Sequence, residues 1–393
     1  MPTTPPPSIL SRLRPPPSSK TKSKPKALPP LSLPSPTLVS QHTPCTLHTS
    51  ILPPELACRL FYTMLDEAKE WKRNKWWLFD RLVESPHRTG FYTRMERDGD
   101  GGEEVDEEGG WKEAAQFWYN GRETKAPSQF PAVMEEACTI IERVVNEELR
   151  KRPRFPLEWA GYPPDQSRPN GDRDSGILWR ANVAASNCYE GAKESVGYHS
   201  DSLTYLGPYP TIASLSLGTT RIFRLREVIP SDEINLRQPR TYNIPVTHNS
   251  LLIMHASTQE KFKHTVPPQP TIDLFRPPFP RQSPPFASSS SSNPDHQIEP
   301  SNCRINITFR FYRPDFHPST IPRCKCGVPA VLKPDMKNRH RGRVDRFWWH
   351  CNAGAQNEGK DCGFWKVLDM KGEGRGPCVG DVEARVEQEN TSI

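Results

Sequence analysis

The sequence has no long hydrophobic run and is poor in apolar residues overall. Hydrophobic residues make up 34% of its 393 positions, and the mean hydropathy is −0.72. No stretch approaches the roughly 20 consecutive apolar residues that a membrane helix needs. We therefore expect neither a membrane-spanning protein nor a single compact domain that fills the whole chain.

The first 50 residues lack acidic side chains and an apolar signal segment. They contain 13 prolines and six basic residues. Such a segment cannot bury enough apolar surface to offset its ordering entropy, so residues 1–50 are expected to form a disordered basic tail. The cluster 20–26 (KTKSKPK) fits a nuclear address, or simply a solvated tail. We expect no secretion, and a protein of the nucleus or also of the cytoplasm.

The ten cysteines lack the spacing of a disulfide scaffold. Four of them lie close together near the C-terminal end, and the others are scattered. This distribution indicates a reducing compartment, with the clustered cysteines binding metal.

Prolines, serines and charged residues are concentrated in certain segments, and these predict the domain organisation. Residues 51–320 read as one domain, with two amphipathic helices (55–71 and 130–152) followed by short strands. This order predicts an α+β fold, a jelly roll or double-stranded β-helix flanked by N-terminal helices. Within it, residues 265–300 hold ten prolines and are expected to be a disordered insert. A small Cys-rich module (321–370) and a polar tail (371–393) follow.

The first chemical motif is Tyr198-His199-Ser200-Asp201. On an extended segment, residues i and i+2 point the same way, so His199 and Asp201 present an imidazole and a carboxylate to one point. These are two members of a 2-His-1-carboxylate triad for iron. A third ligand must come from a distant strand, and His248, His255 and His264 are the candidates.

The second motif is Arg304-Ile305-Asn306-Ile307-Thr308-Phe309-Arg310. Alternation along a strand places 304, 306, 308 and 310 on one polar, cationic face. Two guanidinium groups that face a barrel interior need an anion, and a dicarboxylate suits them because arginine pairs carboxylates bidentately.

These motifs, together with Asn187-Cys188-Tyr189 and the M-x-x-x-x-Q-x-x-x-x-H stretch from Met254 to His264, resemble the AlkB-like Fe(II)- and 2-oxoglutarate-dependent dioxygenases. The resemblance covers roughly residues 51–315. It implies an enzyme that oxidatively demethylates alkylated bases in nucleic acid, turns 2-oxoglutarate into succinate and CO₂, and releases an aldehyde.

The resemblance also assigns residue roles. It implies iron ligands His199, Asp201 and His264, and it implies that the co-substrate 2-oxoglutarate is contacted by Asn187, Tyr189, Arg304, Asn306 and Arg310. A flipped base is held between aromatic planes, and Trp179, Tyr198 and Tyr205 are all candidates for that role.

The Cys-rich module has Cys324, Cys326, Cys351 and Cys362 as candidate ligands of a tetrahedral Zn²⁺ site, with His350 as a rival. Gly342-Arg343, then Phe347, then C-x₁₀-C-G-F-W resemble the GRF zinc finger over about 322–370. That family is associated with single-stranded nucleic acid. Basic side chains and aromatics in the module suit phosphate contacts and base stacking, so single-stranded DNA or RNA, and also duplex DNA, are the expected partners.

Two other functions remain open on the sequence. One is a non-catalytic nucleic-acid-binding adaptor, against which the intact ligand and arginine motifs argue. The other is a dioxygenase for protein side chains or small molecules, against which the Cys-rich module argues. No feature predicts the oligomeric state.

Overall fold

A computed structural model describes residues 28–94, 117–119, 122–123, 126–161, 179–281, 298–339 and 345–384. Its α-helices are α1 (Pro36–His42), α2 (Pro54–Glu67), α3 (Ala132–Arg150) and α4 (Thr258–Lys261). None of the helices in the described ranges combines the length and the apolar content that crossing a bilayer requires.

The strands fall into two large sheets and three small ones. The first half of the chain contributes β1 (Leu31–Ser32), β2 (Cys45–Thr49), β3 (Lys75–Leu78), β4 (Arg81–Glu84), β5 (Arg88–Thr93), β6 (Phe117–Tyr119), β7 (Arg122–Glu123), β8 (Ser128–Gln129), β9 (Val183–Glu190) and β10 (Val196–His199). The second half contributes β11 (Ile212–Gly218), β12 (Arg221–Glu227), β13 (Thr241–Val246), β14 (Ser250–Met254), β15 (Phe262–Val266), β16 (Cys303–Arg310), β17 (Val331–Pro334), β18 (Phe347–His350) and β19 (Trp365–Val367).

The two large sheets form the jelly-roll-like core that the strand pattern predicts. A seven-stranded sheet has the order β2-β14-β11-β16-β9-β5-β8, and a five-stranded sheet has the order β1-β13-β12-β15-β10. The hairpin β3–β4 and the pair β6–β7 are separate two-stranded sheets, and β17–β18–β19 form a three-stranded sheet.

Alternation along β16 sets the layers. Ile305, Ile307 and Phe309 join a core cluster with α2 and α3 on one face of the seven-stranded sheet. The alternate residues of β16, at positions 304, 306, 308 and 310, therefore point to the opposite face, towards the five-stranded sheet. Both amphipathic helices lie where the sequence predicts them, and their apolar stripes cover the large sheet.

Part of the expected N-terminal tail is ordered, which corrects the prediction for residues 28–50. β1 pairs with β13, β2 pairs with β14, and α1 lies between them. Leu33, Val39 and Cys45 are buried in the cluster between the two sheets. Apolar side chains are few in this segment, but several of them are buried. Residues 1–27, with the KTKSKPK cluster, lie outside the described residues.

Two further segments, the expected disordered insert and the expected polar tail, are packed in their described parts. Within 265–300, the described residues include the end of β15 and Phe275, which bridges Ser301 and packs against the core and the ring of His248. Residues 282–297 of this insert lie outside the described part. In the expected tail 371–393, Arg375 and Cys378 are buried, and the backbone of Cys378 forms an antiparallel β-bridge with that of Trp159. Residues 385–393 are outside the description.

The Cys-rich module is docked on the jelly roll through a shared apolar cluster. Leu332, Phe347 and Trp349 of the module pack with Leu203 and Phe316 of the preceding domain. The Tyr209 hydroxyl also donates to the Asp345 carboxylate across the junction, at 2.9 Å. The Cys-rich module is therefore packed against the jelly roll and is not joined to it by the chain alone.

Candidate metal and co-substrate site

Two neighbouring strands of the five-stranded sheet bring the two motif histidines and the aspartate together. His199 ends β10, and His264 lies directly opposite it on β15, with the ring centroids 4.3 Å apart. Asp201 follows β10 by two residues, and one ligand atom from each of the three side chains lies within 4.8 Å of the others. The Asp201 carboxylate is 3.4 Å from the His264 Nε2 and 4.0 Å from the His199 Nε2.

The electrostatics of this group suit a divalent metal. Burial, reinforced by the neighbouring His264, lowers the pKa of His199 to about 4, so its imidazole is neutral at neutral pH. The His199 Nδ1–H donates to the Gly197 carbonyl at 2.8 Å, which leaves Nε2 as the ligating atom. Burial opposes ionisation of Asp201, but the Arg310 guanidinium and the two imidazoles outweigh it and hold the pKa of the carboxyl well below its usual range.

Two residues hold Asp201 in position, and one of them is Arg310. The Arg310 Nη2 and Nε donate to one oxygen of Asp201, at 2.7 and 3.0 Å. The backbone N–H of Asp201 donates to the Gln259 Oε1 at 2.8 Å. Gln259 is the glutamine of the M-x-x-x-x-Q-x-x-x-x-H stretch, and this contact gives that position a physical role that its spacing alone did not reveal.

Arg304 is the other arginine of the motif, and it is 1% exposed. Its Nη2 donates to the Ser216 hydroxyl and the Asn306 Oδ1, at 2.8 and 2.6 Å. In the described part of the chain it has no carboxylate partner, and burial lowers its pKa to about 10. A buried guanidinium in this state would gain from an incoming carboxylate.

The remaining co-substrate candidates surround Arg304. Asn306 and Tyr189 lie beside it, with Tyr189 directly opposite Arg304 across the β9–β16 pair and its ring 5.4 Å from the guanidinium carbon. Asn187 is opposite Asn306 and accepts from the Thr89 hydroxyl at 2.8 Å. The structure therefore gathers all five candidates on β9 and β16 of the seven-stranded sheet, and Arg310 joins this row to the Asp201 carboxylate of the histidine–aspartate group.

The sequence profile of the 2OG-Fe(II) oxygenase superfamily matches residues 58–310, and this range contains every residue of the site just described. The chain belongs to the 2OG-Fe(II) oxygenase superfamily. This confirms the predicted class, a 2-oxoglutarate-dependent dioxygenase, at the level of the family.

Individual relatives agree with the superfamily over shorter ranges. The chain is 40% identical over 135 residues to the alpha-ketoglutarate-dependent dioxygenase alkB homolog 3 of Bos taurus, which is 34% of this chain and 37% of that protein. It is 32% identical over 103 residues to the DNA oxidative demethylase ALKBH2 of Arabidopsis thaliana, covering 22% of this chain and 33% of that protein. The chain thus spans about a third of the length of these relatives.

Among solved structures, one titled the structure of OsALKBH1 is 14% identical, with a TM-score of 0.37, over 69% of this chain and 99% of that chain. The sequence relatives support the AlkB-like character that the motifs indicate within the superfamily.

The rival histidines are engaged elsewhere in this oxygenase. The His248 Nδ1 accepts from the backbone N–H of Gly218 at 3.0 Å, and its ring stacks on Phe275. The His255 Nε2 lies 3.0 Å from the Thr46 hydroxyl. Of the three histidines left open by spacing, the structure places only His264 beside His199 and Asp201.

The three candidates for base stacking differ in accessibility, and the prediction is wrong for two of them. Trp179 is buried, and its Nε1–H donates to the Thr211 carbonyl at 2.8 Å. Tyr205 is buried against Tyr312 in the cluster that docks the module. Neither side chain is available to a base, whereas Tyr198 is 41% exposed, next to His199.

Several side chains that build this site have no role that the sequence motifs predict. Ser214 and Ser216 on β11 hold Asn306 and Arg304, and Thr308 accepts from the Asn306 amide at 2.7 Å. Arg221 lies over the Tyr189 ring and donates to four backbone carbonyls, those of Gly191, Ala192, Glu194 and Pro267. Small hydroxyl residues alternating with apolar ones in IASLSLG were the only available signal.

The four motif cysteines of the module also converge. One ligand atom from each lies within 4.8 Å of the others, and the Sγ atoms of Cys326 and Cys351 are 4.0 Å apart. His350 does not belong to this group, and its Nδ1–H donates to the Cys351 carbonyl at 2.8 Å. Gly342 and Arg343, which contribute to the GRF-like pattern, lie outside the described residues.

Proposed function

We propose that this oxygenase removes alkyl groups from bases of DNA or RNA, with Fe(II) held by His199, Asp201 and His264 and with 2-oxoglutarate as co-substrate. The observation that carries the proposal is the convergence of two imidazoles and one carboxylate, together with a buried arginine, Arg304, that has no carboxylate partner among the described residues. When bound, the iron with its co-substrate would activate dioxygen, the oxidant, which would give one oxygen atom to succinate and one to the alkyl carbon.

The donor set fits this cofactor pair. Two imidazoles and one carboxylate are the ligands of non-haem Fe(II) oxygenases, and they leave positions for other ligands. Arg304 would bind one carboxylate of 2-oxoglutarate, with Tyr189 and Asn187 beside it. Arg310 is already paired with Asp201, and it would keep the Asp201 carboxylate ionised and oriented. It would also contact the co-substrate, from the opposite end of the motif to Arg304.

The nucleic-acid substrate is supported by the relatives and by the Cys-rich module. We propose that Cys324, Cys326, Cys351 and Cys362 bind Zn²⁺ in a GRF-type finger, because four thiols at this separation suit a closed tetrahedral site. We further propose that the finger binds single strands and that the protein acts in the nucleus. The relatives named for alkB homologues and DNA oxidative demethylation support alkylated nucleic acid as the substrate class.

A panel of methylated oligonucleotides, single- and double-stranded and of DNA and RNA, tests the activity. Formaldehyde and succinate should appear together, and both should require Fe(II) and 2-oxoglutarate. Exchange of His199→Ala or Asp201→Ala should reduce both products to background, whereas the exposed His42→Ala should leave them unchanged. Strand binding should survive in the two inactive variants, because the module does not use these side chains.

Each alternative function has its own outcome in this experiment. Strand binding without succinate from any substrate would indicate a non-catalytic adaptor. Succinate that is formed with methylated peptides but not with oligonucleotides would indicate a protein dioxygenase. Zinc stoichiometry of the purified chain, measured with and without Cys351→Ser, tests the finger independently. A green-fluorescent fusion with and without the 20–26 lysines changed to alanine tests nuclear localisation.

A further inference from the structure

The outer face of the three-stranded sheet exposes aromatic side chains. On β17–β19, Leu332 and Trp349 point into the shared cluster, so the alternate residues point outwards. Trp365 is 61% exposed, and Trp348, on the neighbouring strand of the same face, is half-buried. Large exposed aromatics on a sheet that already has a buried core are not needed for that core.

Positive charge lies on the same face. Lys333 is directly opposite Trp348 and is exposed, and it has no carboxylate partner among the described residues. Partial desolvation of its ammonium and the nearby Lys263 lower the pKa of Lys333. The two lysines lie near each other, and neither pairs with a carboxylate among the described residues, so together they favour the binding of an anion.

The charged surface continues onto the jelly roll. Lys263 lies on β15, directly opposite Arg226 on β12. The Arg226 guanidinium lies 5.9 Å from the ring centroid of Tyr198, the exposed neighbour of His199. Because the module is docked through buried side chains, these residues keep a fixed position relative to the iron-site histidine.

We propose that this surface, formed by Trp348, Trp365, Lys333, Lys263, Arg226 and Tyr198, is one continuous binding track for a single nucleic-acid strand that leads to the edge of the catalytic site. The inference rests on the proposed function and names the surface that delivers its substrate. Aromatic rings interleaved with cations bind single strands, since bases stack on the rings while the cations contact phosphates. A duplex keeps its bases stacked inside, so it cannot use the tryptophans in this way.

Fluorescence anisotropy with unmodified single-stranded DNA and RNA, titrated at several salt concentrations, tests the track. Trp365→Ala should weaken binding about 5- to 150-fold, the range found for one lost base–aromatic stack. Lys333→Ala and Lys263→Ala should each reduce the steepness of log K against log salt by about 0.7, because one phosphate contact is lost. Leu274→Ala and Lys69→Ala, exposed substitutions outside the track, are the matched controls and should change neither quantity.

Wild-type affinity and salt slope in all three track variants would overturn the proposal. Trp365→Phe separates stacking from folding, since it should restore most of the binding. Melting temperature and zinc content should be unchanged in every variant, because Trp365 and Lys333 are exposed.

Kinetics separate this proposal from the proposed function. The track variants should raise KM for a long methylated strand and leave kcat, and the turnover of a methylated trinucleotide, unchanged. If no substrate is turned over by the wild-type chain, the demethylase function fails while the binding assay still decides the track. If turnover is normal but the variants bind and react like the wild type, only the track fails.

Discussion

At the scale of single residues, Arg304 is the side chain that we propose binds a carboxylate of the co-substrate. It is buried, it is held by Ser216 and Asn306, and it lacks a carboxylate partner in the described part of the chain. Arg304→Gln should therefore raise KM for 2-oxoglutarate by about 10- to 150-fold, the equivalent of about 1.5–3 kcal/mol for charge-assisted hydrogen bonds. Initial rates measured against co-substrate concentration at saturating oligonucleotide check this.

Two companion variants show whether Arg304 acts through binding. Arg304→Lys keeps the charge but loses the planar fork, so it should recover part of the affinity. Ser216→Ala removes one hydrogen bond to Arg304 and should raise KM only a few-fold, in line with about 1 kcal/mol for a neutral partner. A variant that loses kcat with an unaltered KM for 2-oxoglutarate would show that Arg304 does not bind it.

Glu260 predicts a pH dependence of stability. It is fully buried; its Oε1 accepts from the backbone N–H of Tyr209 at 2.8 Å, and its Oε2 has no partner among the described residues. Burial raises the pKa of this carboxyl to about 7. The folded state thus favours the protonated form, and this stabilisation is lost as the pH rises from the unfolded value of 4.5 through about 7.

Glu260→Gln removes that titration. Above about pH 7.5 the variant should be more stable than the wild type by about 2–3 kcal/mol, and near pH 5 the two should be nearly equal. Urea unfolding at both pH values measures the difference. An equal stability gap at both pH values would mean that Glu260 does not carry the pH dependence.

The sequence predicts the residues of the site better than their partners. H-x-D and R-x-N-x-T-F-R place their polar side chains at positions i and i+2, so in an extended strand the side chains of each motif point to the same face. The choice of His264 over His248 and His255 needed the family resemblance or the fold, because all three histidines lie in or close to β14 or β15. Trp179 and Tyr205 could not be recognised as buried, since an aromatic side chain serves a core and a base pocket equally well.

At the scale of elements, the hairpin β3–β4 links the site to the Cys-rich module. At its base, His87 stacks on Tyr189 with ring centroids 4.9 Å apart. At its tip, Phe79 meets Gly359, where an added Cβ would lie 2.5 Å from the Phe79 carbonyl oxygen. Gly359→Ala should therefore displace the hairpin, in addition to the cost of about 1 kcal/mol for a side chain at positive φ.

Hydrogen exchange of the amides in 75–84 measures this displacement, which should appear as faster exchange. Gly374→Ala is the matched control, because Gly374 also has a positive φ of +66° but would bring its Cβ within 4 Å of nothing. Equal exchange rates in the two variants would show that backbone strain, and not contact with Phe79, causes the effect.

Elements with regular patterns were predictable, and those with sparse patterns were not. The stripes of α2 and α3 and the alternation of β16 repeat over many residues, so their period is readable. The segment 28–50 was misread because its composition is dominated by prolines, while its order depends on a few residues such as Leu33, Val39 and Cys45. Likewise, Arg375 reads as polar tail, although its guanidinium lies over the rings of Phe316 and Trp349, 4.3 and 5.1 Å from their centroids.

At the scale of the whole molecule, catalytic and Cys-rich parts share one apolar cluster. Leu332 of β17 is fully buried there, and its backbone N–H donates to the Thr204 hydroxyl of the jelly roll at 3.2 Å. The chain after the module returns to the jelly roll through Cys378 and Trp159. Substrate capture and catalysis are therefore expected on one body, with no flexible tether between them.

Leu332→Ala tests this coupling. If the two parts fold as one body, thermal unfolding should stay a single transition that moves down by about 2–5 kcal/mol, the cost of a cavity at a fully buried leucine. Val367→Ala, on the exposed face of the same sheet, should change stability by less than about 0.5 kcal/mol. Calorimetry in the presence of 2-oxoglutarate sharpens the comparison, since a ligand of the folded catalytic site raises its transition. The opposite result would be two transitions, of which Leu332→Ala shifts only the one that does not respond to 2-oxoglutarate. That result would show that the module folds independently, and the binding track would then have no fixed position relative to His199.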